Sequence, residues 1–206
     1  MKITKYELNA NTYIVSNDKM ECIIIDPSLG MSYEAKRIKE KYDVKAIFLT
    51  HAHFDHIDGI SSFLDLPIYL HQDEIDILKN PMNNLYYMFY GEDTPFDVNE
   101  LELKPLCDND IIDIIGLKFE VTHTPGHTKG SVCYKIDDYL FTGDTLFATS
   151  VGRWDFPSGD YDTLCNSIKK LLNKYQSNLK CLSGHEHETT LDDIKRYNRY
   201  VVEVLK

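Results

Sequence analysis

Residues 49–59 read "LTHAHFDHIDG" and place His51, His53, Asp55 and His56 within six positions of a 206-residue chain that has only eight histidines. The run before them, "KAIFLT" (45–50), is apolar and of the length of a buried strand. The cluster therefore falls where strand becomes loop, its backbone anchored and its side chains projecting. Imidazole nitrogens and a carboxylate suit a borderline divalent ion, zinc first, with iron or manganese also accommodated. If the backbone stays extended, Ala52 and Phe54 send His51, His53 and Asp55 to one side. His56 breaks that alternation and must reach another point. Four such neighbours exceed what one ion takes easily, so the pattern points to two. The bland alternative is a histidine-rich surface loop, and only further ligands elsewhere displace it.

Further ligands exist. "THTPGHTKGS" (122–131) carries His123 and His127 around a Pro-Gly turn; "FTGDTLF" (141–147) sets Asp144 after a glycine; "LSGHEHE" (182–188) sets His185 directly after another. Each follows a strand-like run, at the strand-to-loop junctions where enzymes place functional groups. Singly, each is more often a structural residue than a ligand. In this order and company they form a set.

The rest of the chain reads as alternating strands and helices. Strands are expected at 2–8, 12–16, 22–26, 45–50, 67–71, 111–115, 117–122, 131–136, 139–142 and 180–184. Helices are expected at 32–42, with Ser32 as the capping residue, and at 57–65, 72–80, 160–175 and 190–205. Residues 81–106, rich in Tyr, Asn, Pro and Gly, read as irregular, and Tyr86, Tyr87 and Tyr90 suggest a lid or a surface excursion. Strand-rich and helical stretches recur in both halves, which predicts two sheets face to face with helices outside. The length suits a single domain over 1–206.

Composition narrows the function. Asp and Glu outnumber Lys and Arg 33 to 22, a net charge of −11, and no basic run interrupts it, which disfavours a nucleic-acid partner. No run approaches the ~20 apolar residues of a membrane helix, and the N-terminus lacks the pattern of a secretory signal, so a cytosolic protein is expected. Five cysteines without C-x-x-C spacing argue against a disulfide framework or zinc ribbon and read as reduced, mostly buried thiols.

Taken together, H-x-H-x-D-H (51–56), P-G-H-T-x-G-S (125–131), T-G-D-T-L-F (142–147) and G-H-E (184–186) resemble the metallo-β-lactamase fold superfamily, and within it the glyoxalase II-like hydrolases. The resemblance spans the chain. It implies an α/β fold, a four-layer αβ/βα sandwich of two mixed sheets, with a two-metal site. Carried over by position, His51, His53 and His127 hold one ion, Asp55, His56 and His185 the second, and Asp144 bridges them. The implied chemistry is hydrolysis of a small thioester such as S-lactoylglutathione by a hydroxide bridging the ions, with Asp55 orienting the nucleophile or carrying its proton. Only 19 residues follow His187, so the C-terminal helical domain that supplies part of the glutathione surface in glyoxalase II is expected to be missing. "GRWDF" (152–156) resembles the G-R-x-D-F segment of short, single-domain relatives; there Arg153 meets a substrate carboxylate or pairs with Asp155 to shape the loop. Persulfide dioxygenases, mono-iron relatives, share two of these motifs but resemble P-A-H-D where this chain has G-H-E. A true β-lactamase is disfavoured because the commonest class has Cys at the Asp144 position and is exported. A non-catalytic metal-binding module is the remaining alternative. The sequence leaves the oligomeric state open.

Overall fold

The computed structural model describes residues 1–205. Strands β1 (Lys2–Glu7) and β2 (Asn11–Ser16) form a hairpin, and β3 (Glu21–Ile25) continues it antiparallel. Helix α1 (Met31–Lys41) then carries the chain to β4 (Asp43–Phe48), which pairs parallel to β3. Two further parallel strands follow, β5 (Ile68–His71) and β6 (Leu103–Leu106), completing a six-stranded mixed sheet in the order β1-β2-β3-β4-β5-β6.

Sequence explains why α1 sits where it does. Met31, Ala35 and Ile38 recur at helical spacing and are buried in one cluster with Ile14, Ile24 and Ile47 of the sheet. Glu34 in the first turn, with Lys39 and Lys41 in the last, complements the helix dipole. Gly30, at φ 92°, is the residue before the helix, and Ser32 lies inside it, so the expected serine cap is not formed. The strand residues between those of the cluster, Tyr13, Val15, Ile23, Ile25 and Phe48, are equally buried. Both faces of this sheet are therefore covered, as parallel strands require.

The second sheet comprises β7 (Ile111–Ile114), β8 (Leu117–His123), β9 (Val132–Ile136), β10 (Tyr139–Gly143), β11 (Lys180–Ser183) and the two-residue β12 (Thr189–Thr190), in the order β12-β11-β10-β9-β8-β7. β8, β9 and β10 form an antiparallel meander; β11 joins β10 in parallel through helix α5 (Tyr161–Lys174). α5 is capped by Asp160, whose carboxylate accepts from the Thr163 N–H at 2.8 Å. Its Leu164, Ile168, Leu171 and Leu172 pack in one core with Cys133, Leu140 and Cys181. Helices α6 (Leu191–Tyr197) and α7 (Arg199–Val204) add Leu191, Ile194 and Val201 to it.

The chain divides into two compact units, residues 1–106 with 113–117, and 107–112 with 118 onward. Among the described residues no helix is long and apolar enough to cross a membrane. All five cysteines are free; burial pushes the Cys22 and Cys181 thiols up to about 12 and Cys133 to about 11, as expected of inert interior thiols.

Candidate metal centre

In the first unit the loop after β4 is tied down by two buried carboxylates. Asp26 accepts from the Thr50 N–H (2.8 Å) and hydroxyl (2.7 Å), and Glu74 accepts from the Ala52 N–H (2.8 Å). Extended backbone persists through His53 (φ −72°, ψ 152°) and then turns helical as α2 (Phe54–Ile57). The predicted alternation thus holds for His51 and His53 and ends there; Asp55 and His56 stand on the first turn of α2. The helix expected at 57–65 begins three residues early and continues as a 3-10 turn over Asp58–Ser62, and that expected at 72–80 is a 3-10 turn over Gln72–Glu74 followed by α3 (Ile75–Leu78).

The imidazoles converge. The His51 ring centre lies 4.8 Å from that of His53 and 4.2 Å from that of His56, and all three rings are buried. His56 Nδ1 is 3.0 Å from Asp26 Oδ2, and His51 Nδ1 is 3.2 Å from the Thr50 hydroxyl, which itself donates to Asp26. A carboxylate only accepts, so Nδ1 of His56 carries the proton; the Thr50 hydroxyl has spent its own proton on Asp26, so Nδ1 of His51 carries one too. With each ring neutral, Nε2 is then the lone-pair nitrogen, the form a metal ligand requires. Asp26 thus sets the tautomer of two histidines at once.

The second unit holds His127, Asp144 and His185. His127 sits in the Pro-Gly turn, which α5 clamps: the Ser167 hydroxyl donates to the Pro125 carbonyl (2.6 Å) and the Asp160 N–H to the Gly126 carbonyl (2.8 Å). Gly126 (φ 132°) abuts the backbone of Leu164, so no side chain fits there. His127 Nδ1 donates to the Arg153 carbonyl at 2.6 Å, again leaving Nε2 as the lone-pair nitrogen. Gly152 permits that approach, because a Cβ at this position would overlap the Asp144 carbonyl. His185 follows β11, its carbonyl held by the Ser183 hydroxyl. The neighbouring Glu186 accepts from the Thr149 N–H (2.7 Å), the Thr149 hydroxyl (2.9 Å) and the Ser150 hydroxyl (2.6 Å). Burial works to raise the Glu186 pKa, but these bonds hold it below the ordinary carboxylate value.

Asp144 Oδ2 lies 3.7 Å from Nε2 of His127 and 3.4 Å from Nε2 of His185. Two ligands bound at ~2.1 Å to one tetrahedral ion stand ~3.4 Å apart. The spacing is long for a direct N–H···O bond and right for ligand edges. In the first unit His56 Nε2 and Asp55 Oδ2 show the same relation at 3.8 Å. His51, His56 and His127, buried and held through Nδ1, with carboxylate oxygens at ligand-edge distance from His56, His127 and His185, give each unit a donor set that fits a divalent cation.

Residues 6–205 match the family model of the metallo-beta-lactamase superfamily. The chain belongs to the metallo-β-lactamase superfamily. A probable metallo-hydrolase of Bacillus subtilis is 36% identical, over 88% of this chain and 87% of its own length. The hydroxyacylglutathione hydrolase of Salmonella typhi is 32% identical over 89% of this chain, which spans 63% of that enzyme's length. Among solved structures, the BLEG-1 B3 metallo-β-lactamase superposes with a TM-score of 0.86 at 32% identity, covering 97% of this chain and 99% of that one. TTHA1623, in a di-iron-bound form, gives 0.80 at 29% identity over 97% and 100%. The α/β sandwich fold of the superfamily, with its two mixed six-stranded sheets, is therefore that of this chain.

Other residues singled out by sequence sit as follows in this metallo-β-lactamase-fold chain. Arg153 and Asp155 form a bidentate pair (2.9 and 2.7 Å) on an exposed loop, with the guanidinium 4.2 Å over the Phe156 ring. Arg153 thereby has a second role that its side chain did not announce, through the carbonyl that fixes His127. His123 is half-buried and its Nε2 meets the Lys129 carbonyl at 2.9 Å. His71 Nδ1 accepts from the Asp73 N–H at 3.2 Å. His187 is exposed. Sequence reading missed Asp26 and Glu74 as anchors of the histidine loop. Asp26 was visible only as the close of a strand before Pro27, and Glu74 only as one residue of a helical stretch.

Proposed function

We propose that this protein is a dinuclear metal-dependent hydrolase of thioesters, for which S-lactoylglutathione is the first probe. His51, His53 and His127 would hold one ion and Asp55, His56 and His185 the second, with Asp144 shared. The observation that carries this reading is the Asp144 carboxylate oxygen at ligand-edge distance from both His127 and His185, residues assigned to different ions. Two bound divalent ions supply Lewis acidity and bring the pKa of coordinated water from ~15.7 to near neutrality. In the net reaction water's oxygen joins the acyl carbon, the C–S bond breaks and the thiol leaves with a proton.

The protein's own groups orient and hold. Asp26 keeps His51 and His56 in the ligating tautomer, and the Arg153 carbonyl does so for His127. Asp55, on the first turn of α2, is the candidate to orient the attacking water and take its proton. The exposed guanidinium of Arg153, braced by Asp155, is the group on hand for a carboxylate of the thiol carrier. Zinc is the first choice of metal on donor chemistry; iron is supported by the di-iron form of TTHA1623.

The similarity to BLEG-1 favours a second reading, hydrolysis of a β-lactam amide by the same groups. One assay set separates the alternatives: S-lactoylglutathione, a chromogenic cephalosporin, and glutathione persulfide with an oxygen electrode. The expected outcome is thioester hydrolysis without oxygen uptake, abolished by chelator and restored by Zn²⁺. Oxygen uptake with persulfide and no thioesterase activity would overturn the hydrolase assignment, and β-lactam turnover alone would select the second reading.

A further inference from the structure

The segment expected to be irregular contains a short helix, α4 (Tyr86–Tyr90), with the sequence YYMFY. Four consecutive large side chains on it face solvent: Tyr87 (52% exposed), Met88 (54%), Phe89 (54%) and Tyr90 (40%). Such a contiguous apolar surface on a folded domain ordinarily marks a binding site. The helix is held rigidly. Asn84 is fully buried, its side chain donates to the Leu78 carbonyl (3.0 Å) and accepts from the Tyr86 N–H (2.9 Å), and the Tyr86 hydroxyl donates to Asp58 at 2.6 Å.

The patch is continuous with the histidine loop. The Phe54 N–H donates to the Asn84 carbonyl at 2.8 Å. The Phe54 ring stacks on Phe89 with centres 4.4 Å apart and meets Tyr90 edge-on at 5.6 Å. Phe54 lies between His53 and Asp55, so the aromatic wall begins one residue from two candidate ligands. Its charge surroundings restrict what it receives. No Lys or Arg occurs between Lys79 and Lys104, whereas Glu92, Asp93, Asp97, Glu100 and Glu102 do. A carrier bearing carboxylates or phosphates is repelled here; an uncharged apolar group is not.

We infer that Phe54, Phe89 and Tyr90 form a preformed apolar wall that receives the acyl group of the substrate, so that thioesters of aryl or bulky aliphatic acids are preferred over those of short acids. This rests on the hydrolase reading above.

The test compares S-phenylacetyl- and S-acetyl-N-acetylcysteamine, which share one uncharged thiol and differ only in the acyl group. Wild-type protein is expected to favour the phenylacetyl thioester in kcat/KM by about tenfold or more, the scale of discrimination by an apolar pocket. Phe89→Ser is expected to remove most of that ratio, and Phe89→Leu, which keeps apolar bulk, to retain most of it. Hydrolysis of both thioesters with equal kcat/KM by wild-type protein would overturn the inference and leave the hydrolase reading standing. Hydrolysis of neither would overturn the inference, and the hydrolase reading with it if S-lactoylglutathione is also left intact. A concentration-dependent dimer that Phe89→Ser dissociates, with the kcat/KM ratio unchanged, would assign the patch to self-association and overturn the inference as well.

Discussion

Asp26 shows how much of the centre depends on a residue that binds no metal in the proposed scheme. It is 2% exposed, its backbone is left-handed (φ 51°), and its carboxylate collects the Thr50 N–H, the Thr50 hydroxyl and His56 Nδ1. Asp26→Asn keeps a residue that tolerates this backbone. It replaces an acceptor oxygen with an amide donor facing groups that themselves donate. Metal affinity is expected to fall by ~10–100-fold, with a loss of stability of roughly 1–3 kcal/mol. Competition against a chromogenic chelator reads the first quantity and urea denaturation the second; unchanged affinity would show that Asp26 does not set the histidine tautomers. At this scale sequence pointed to the candidate ligands and hid their supports. His51, His53, Asp55, His56, His127, Asp144 and His185 stand in motifs at strand ends, where type and spacing are informative. Asp26 and Glu74 act through contacts 24 and 22 positions away, which local pattern does not encode.

At the scale of elements, Asp108 fastens the second unit. It accepts from the His123 N–H at 2.8 Å and from Lys170 of α5 at 2.9 Å, joining the end of β8 to the helix that clamps the His127 turn. Burial works to raise its pKa, but the His123 N–H and the Lys170 ammonium hold it below the ordinary 3.8. A lowered folded-state pKa contributes stability that is fully present above the unfolded value and lost as pH falls through the folded one. Asp108→Asn is therefore expected to lower Tm at pH 7, with the gap from wild type closing as pH drops below ~4. A gap that widens on acidification would contradict the pairing. The long periodic helices were legible for a simple reason: α1 and α5 bury residues at i, i+4 and i+7, and nothing local competes. Some short elements were not. α4 and β6 lay hidden in 81–106, and the helix expected at 190–205 divides at Asn198. That fully buried residue caps α7 and donates to the Phe147 (3.1 Å) and Ser150 (2.8 Å) carbonyls. A cap whose other bonds reach 48 and 51 positions back is a tertiary fact.

For the whole molecule, two mixed six-stranded sheets each cover one core with helices, and of the candidate ligands four belong to the first unit and three to the second. The layered α/β class followed from alternating strand and helix patterns, and family membership from the order of the motifs. Strand order and the parallel or antiparallel sense of each pair needed the structure, because they depend on which crossovers close. The central claim is that this protein is a two-metal enzyme, and it is tested most directly by counting metal. Protein purified without chelator, analysed by inductively coupled plasma mass spectrometry against amino-acid analysis, is expected to hold two divalent ions per chain. His185→Ala is expected to hold close to one, since a single ligand of the second site is removed. One iron per chain in wild-type protein, unchanged in His185→Ala, would contradict it.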